Sequence, residues 1–249
     1  RYTYKNLLYG EEKEVESMIG IIGAMEDEVA ELKKSMEIEE VVSAASLSFC
    51  RGKLSGKEVV VVRSGIGKVN AAVCAQILVD RFGVDVIINT GIAGSLDAAI
   101  DIGDIVISTD AVEHDMDAST FGDPVGQIPQ MDTFSFPADE KLVKLAKEVN
   151  EKANPDIRTW TGRIVSGDQF VSSSEKKEQL ISLFDAKCTE MEGAAIAHTA
   201  YLNKISCVII RAISDKADNS ASVDYPAFEA AAIRHSVRLI EALVPEIKK

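Results

Sequence analysis

The sequence has 249 residues, 46% apolar and 27% charged, enough to bury one large core without a disulfide or metal staple. Its 40 acidic against 27 basic side chains give a formal net charge of −13, which repels nucleic acid and anionic membranes and argues against partners held by basic patches. No apolar run reaches membrane-span length, and Cys50, Cys74, Cys188 and Cys207 lack the spacing of a zinc or redox pair, so buried free thiols in a reducing, cytoplasmic compartment are expected.

Residues 1–17 lack the apolar segment of a secretory signal and read as a mobile extension or cloning remnant, leaving 18–249 as one domain. Met18-Ile-Gly-Ile-Ile-Gly23 reads as a strand closed by a glycine turn, and Glu26 to Met36 as an amphipathic helix. Ser46 to Lys53 and Glu58 to Arg63 flank Leu54-Ser-Gly-Lys57, whose Ser-Gly pair predicts a hairpin. Gly65-Ile-Gly67 leads into a small-residue helix, Val69 to Arg81. Val84 to Asn89 is an apolar strand closed by Thr90-Gly-Ile-Ala-Gly94, and Ile105 to Ser108 is a shorter one. The Pro-, Gly- and Asp-bearing stretch 115–136 lacks periodicity and predicts a long functional loop. Beyond it follow a helix (Ala138 to Lys152), a strand (Thr161 to Ser166), and two helices (Ser174 to Phe184, Met191 to Asn203). A strand (Ser206 to Ile213) and a last helix (about Tyr225 to Val244) complete an α/β domain with a mixed sheet.

Ligands of α/β sheets gather at the carboxyl ends of strands. Distinctive turns stand at Gly23-Ala-Met-Glu-Asp-Glu28, Ser64-Gly-Ile-Gly-Lys68, Thr90-Gly-Ile-Ala-Gly94, Ser166-Gly-Asp-Gln-Phe170 and Ser214-Asp215. Together they offer backbone amides, carboxylates and an aromatic face, a set that suits a polar ring bearing an aromatic base. Each element also has an ordinary reading. Glu26, Asp27 and Glu28 complement a helix dipole in its first turn. Gly91 and Gly94 serve as simple turn residues. Glu190 and Glu192, two apart in a helix, fall on different faces, one solvated and one buried. Arg211 and Asp215 bracket apolar residues, where a charge is costly unless paired or used. Phe170 reads equally as core. His114, His198 and His235 show no metal-ligand spacing, and neither metal nor cofactor is expected.

In order and with compatible spacing, six segments resemble the signature series of 5′-methylthioadenosine/S-adenosylhomocysteine nucleosidases. These are Gly23-Ala-Met-Glu-Asp-Glu-Val29, Ser64-Gly-Ile-Gly-Lys-Val69 and Ile88-Asn-Thr-Gly91, followed by Val165-Ser-Gly-Asp-Gln-Phe170, Glu190-Met-Glu-Gly193 and Arg211-Ala-Ile-Ser-Asp215. The resemblance spans Met18 to about Val244 and implies a nucleoside phosphorylase-like, three-layer α/β/α fold in a homodimer. It implies hydrolysis of methylthioadenosine and S-adenosylhomocysteine to adenine and the thioribose, with 5′-deoxyadenosine or 6-amino-6-deoxyfutalosine as further substrates.

The resemblance makes Asp215 the general acid at adenine N7, oriented by Ser214, and Glu28 the base for the attacking water. It gives Glu192 to the ribose hydroxyls, with Met191 beside the sugar and Arg211 neutralising nearby acids. Phe170 would stack on adenine while the Val171 backbone reads its edge, and Ala93 and Gly94 would line the pocket. Met25, Ile66 and Tyr225 would form the apolar 5′-thioalkyl end, and Phe121 and Pro129 would reach a neighbouring subunit's pocket. Ile92 stands where many relatives carry Ser or Thr, so one minor polar contact is lost. A phosphorylase on the same fold and a silent nucleoside-binding protein are the rival readings.

Overall fold

The computed structural model describes residues 17–248, so residues 1–16 of the expected extension lie outside the described residues. In chain order the elements begin β1 (Ile19–Gly23), α1 (Glu26–Ser35), β2 (Glu37–Ala44), β3 (Leu47–Leu54), β4 (Lys57–Arg63) and α2 (Lys68–Phe82). Next come β5 (Val86–Ser95), β6 (Ile105–Glu113), β7 (Phe136–Pro137), α3 (Glu140–Ala153), β8 (Thr159–Ser166) and α4 (Ser174–Phe184). The chain ends with β9 (Cys188–Glu190), α5 (Gly193–Asn203), β10 (Ser206–Asp215) and α6 (Ala221–Leu243).

One mixed sheet joins these strands. β1 lies parallel between β4 and β5, and β10 runs parallel along the other edge of β5. Past the end of β1, Gly94 and Ser95 of β5 pair with β9, and the pairings β10–β6, β6–β8 and β8–β9 close a ring. Strand side chains alternate between faces. Ile19, Ile21, Val59, Val61 and Ile88 pack with Leu32 of α1, Ala146 of α3 and Ile240 of α6. Their neighbours Ile22, Val60, Val62 and Ile87 pack with Ala75 of α2 and Ile196 of α5. Helices thus cover the sheet from two core clusters, and α4 closes a third with Leu180 and Phe184 against Val112 and Val165. Each of the four cysteines is buried and free.

Several elements differ from expectation. β2 was not predicted: Glu37, Glu39 and Glu40 interrupt any apolar alternation, because this edge strand pairs, among the described residues, with β3 alone and stands largely in solvent. β5 does not stop at Asn89 but runs through Gly91 and Gly94 to Ser95, held by its register with β10. The expected turn there is strand. β9 was missed as well, and α5 begins at Gly193, after Met191 and Glu192. The hairpin lies as its turn signal predicts, with Ser55 and Gly56 at positive φ. The stretch 115–136 is a loop except for a single 3₁₀ turn at Ser119–Phe121 and the start of β7.

Candidate active site

The turns after β1, β4 and β8 meet the ends of β5, β9 and β10 around a cavity of about 210 Å3. Glu28 enters it from the third position of α1. Glu26 and Asp27 of the same turn are exposed, whereas Glu28 folds inward and is buried. Its Oε2 accepts from the amides of Ala24 at 2.7 Å and Met25 at 2.9 Å, and its Oε1 from Ile92 at 3.2 Å. The carboxylate therefore caps its own helix and also faces the cavity, so the dipole reading and the functional one describe the same side chain. Burial raises its pKa above the usual carboxylate range, against the opposing pull of Arg211 and these amides.

Asp215 ends β10. Its Oδ1 accepts from the amide of Ala217 at 2.8 Å, and its Oδ2 from the hydroxyl of Ser214 at 2.9 Å. Burial again raises the pKa, only partly offset by those two bonds. The glycines of β5 answer to these carboxylates rather than to a turn. A Cβ on Gly91 would lie 2.6 Å from Glu28 Oε1, and one on Gly94 would lie 2.7 Å from Asp215 Oδ1.

Glu190 and Glu192 are both buried, which corrects the expectation that one would be solvated. They do not share a helix: Glu190 closes β9, and Glu192 is the N-cap residue of α5. Glu190 is satisfied on every side. It accepts from Ser166 Oγ, from the amides of Glu192 at 3.0 Å and Gly193 at 2.8 Å, and from Arg211 Nη2 at 2.5 Å. Burial opposes its ionisation, but Arg211 and these donors hold its pKa below the ordinary value. Glu192 instead reaches α2, accepting from the Gly67 amide at 2.8 Å. Burial, reinforced by the charge of Glu190, pushes it up to about 8.

Met25, Ile66, Ala93, Gly94, Phe170, Met191 and Tyr225 line the same cavity. Val171 lines a smaller recess beside Phe170 and Asp215. The Phe170 and Tyr225 rings meet edge to face, 5.7 Å apart, and the Tyr225 hydroxyl bonds Glu229 at 3.1 Å and the Met25 sulfur at 3.4 Å. Ile66 and Phe170 are each about half exposed, so an apolar, partly open end adjoins a buried acidic one. Three expected residues line neither the cavity nor the recess. Arg211 lies behind it, fully buried, and Phe121 and Pro129 stand in solvent on the long loop. Conversely, Ala24, Thr189 and Glu190 line the cavity without having been assigned a role. The acidic doublet Glu190-Met-Glu192 was the available signal for the last of these.

A family model described as the phosphorylase superfamily matches residues 18–245. A 5′-methylthioadenosine/S-adenosylhomocysteine nucleosidase of Staphylococcus haemolyticus is 42% identical over 91% of this chain and 99% of its own. The crystal structure of the Neisseria meningitidis nucleosidase of that name, in complex with methylthio-immucillin-A, superposes with a TM-score of 0.89. It is 39% identical and covers 93% of this chain and 100% of its own. The native futalosine hydrolase of Helicobacter pylori superposes with a TM-score of 0.88 at 35% identity, over 93% and 98% of the two chains. The chain belongs to the 5′-methylthioadenosine/S-adenosylhomocysteine nucleosidases of the phosphorylase superfamily.

Proposed function

We propose that this chain hydrolyses the N-glycosidic bond of 5′-methylthioadenosine and S-adenosylhomocysteine, releasing adenine and the thioribose. The observation that carries the reading is the pairing of two buried carboxylates with raised pKa, Glu28 and Asp215, in one cavity with an apolar end. A carboxylic acid that carries its proton when the nucleoside is bound can donate it to adenine N7, so that the base leaves neutral as the N9–C1′ bond breaks. Asp215 takes this part, with Ser214 fixing its second oxygen. Glu28, held by three amides, takes the proton of the water that attacks C1′, a division of labour like that of inverting glycosidases. Glu192 binds the ribose hydroxyls, and because burial favours its protonated form it can donate one bond and accept another. Phe170 stacks on adenine, and Met25, Ile66 and Tyr225 receive the 5′ substituent.

The likeness to a futalosine hydrolase favours a second substrate, 6-amino-6-deoxyfutalosine, whose bulky 5′ extension the half-exposed Ile66 end would admit. The proposal includes a three-layer α/β/α arrangement, supported by the core clusters on alternate strand faces, and a cytoplasmic site of action. It also includes a homodimer in which Phe121, 89% exposed, and Pro129 complete the neighbouring pocket. The test is adenine release from methylthioadenosine by the unmodified chain and by Glu28→Gln, whose amide cannot take the water's proton. Wild-type turnover that Glu28→Gln abolishes supports the reading, and a fully active Glu28→Gln overturns the role of Glu28.

A further inference from the structure

The N-terminus of α2 holds two carboxylates that come from different parts of the chain. Its N-cap residue is Gly67, which has no side chain to cap with. The Gly67 amide donates to Glu192 Oε1 at 2.8 Å, and the next amide, Lys68, donates to Asp168 Oδ1, also at 2.8 Å. Asp168 lies in the turn between β8 and Phe170, and its own amide donates to Asp115 Oδ2 at 2.9 Å. Asp115 is tied back to the same helix, because its Oδ1 accepts from Lys68 Nζ at 2.6 Å. Base-stacking segment, long loop and helix are thus closed into one ring of hydrogen bonds.

We infer that Asp168 is a positioning residue for base recognition, clamping the segment that carries Phe170 and Val171 to the same helix end that orients Glu192. The inference rests on the nucleosidase reading, in which Phe170 and Val171 meet adenine and Glu192 meets ribose. Two successive amides of one helix set the base-binding and sugar-binding groups in register. A carboxylate at a helix N-terminus also gains from the macrodipole. Within the turn 167–170, the other backbone bonds described are Gly167 to Glu190, Gln169 to Gly167 and the Asp168 amide to Asp115, so the Asp168 side chain is its direct link to α2. Asp168 itself touches no reacting atom. Its loss therefore loosens the base platform and leaves Asp215, Glu28 and Glu192 in place.

The test is Asp168→Ala in the full chain, with adenine affinity measured by calorimetry and KM and kcat by adenine release from methylthioadenosine. Adenine Kd and KM should rise together by about fivefold, the size of one lost helix cap, with kcat changed less than about twofold. Asp168→Asn keeps an oxygen acceptor and should restore most of the affinity. A role confined to stability would lower the melting temperature and leave adenine Kd unmoved, and that result overturns the inference. So would a fall in kcat at unchanged Kd. Should Asp168→Ala fail to fold, Asp168→Glu carries the test: its extra methylene keeps the charge but moves the carboxylate off the Lys68 amide. The same rise in Kd is then expected, and an unchanged Kd again overturns it. Adenine binding needs no turnover, so a wild-type chain that binds adenine but releases none from methylthioadenosine would sink the nucleosidase reading separately.

Discussion

Arg211 donates from Nη2 to Glu190 at 2.5 Å and to Asn89 Oδ1 at 2.6 Å, wholly inside the protein. The guanidinium is thereby committed to Glu190 and Asn89, and Glu28 and Glu192 have no cation in bonding contact among the described residues. That asymmetry explains the split in their behaviour: Arg211 and the neighbouring donors hold Glu190 below the ordinary carboxylate value, while burial raises Glu28 and Glu192 above it. The pair is a foundation for the site.

Glu190→Ala should therefore destabilise the fold by about 3–5 kcal/mol, because it strands a buried guanidinium. The double variant Glu190→Met with Arg211→Met should be the more stable of the two, since an apolar pair leaves no uncompensated charge. Urea unfolding of both measures this. A single variant within about 1 kcal/mol of wild type would show the pair to be unimportant for stability.

Asp215→Asn should still bind nucleoside but turn over roughly 10²–10⁴-fold more slowly, the usual contribution of a general acid. The amide can still accept from the Ala217 amide, so the loss belongs to proton transfer rather than to folding. Steady-state rates on methylthioadenosine together with the melting temperature decide it. A near-normal rate would remove Asp215 from the chemistry.

Glu192 predicts a pH dependence of stability. Its pKa of about 8 in the fold exceeds the ordinary 4.5, so between those values the folded protein holds a proton that the unfolded chain releases. Stability is full below about pH 4.5 on this account and is lost as pH rises through about 8, by at most about 1.4 kcal/mol per unit. Glu28 and Asp215, raised as well, act in the same sense. The melting temperature of the ligand-free protein should fall across this window, and Glu192→Gln should flatten the fall. An unchanged slope in that variant would show that Glu192 is ionised throughout.

Much of this was legible in the sequence, and the exceptions have physical causes. Helix spans and the Ser55-Gly56 hairpin follow from local periodicity and turn chemistry, which tertiary context here leaves alone. Gly91 and Gly94 carried a turn signal but sit in a strand, because the carboxylates of Glu28 and Asp215 approach the backbone too closely for any side chain. Such a requirement arises from residues more than sixty positions away and leaves no local pattern. β2 was hidden for the opposite reason, as an edge strand mostly in solvent needs no alternation. Glu190 escaped assignment because two acids in sequence carry no mark of which one meets the arginine.

Water, not phosphate, should be the nucleophile. A bound phosphate dianion needs guanidinium or ammonium groups or free amides, and no Lys or Arg among the described residues lines the cavity. Arg211 is spent on Glu190 and on Asn89, which accepts from it. Nearby amides are spent too. Those of Ala24, Met25 and Ile92 serve Glu28, that of Gly67 serves Glu192, and those of Ser64 and Gly65 serve the carbonyls of Gly23 and Ala24. An anion beside ionised Glu28 would meet repulsion of about 4 kcal/mol per unit-charge pair at 4 Å and an effective dielectric near 20. Neutral water meets none, and on the proposed mechanism the carboxylate that repels phosphate is the group that would deprotonate water. The rate of adenine release should accordingly be the same with and without phosphate, yielding free thioribose in both cases. Chromatography of the two reactions settles it, and a ribose 1-phosphate product would make the enzyme a phosphorylase.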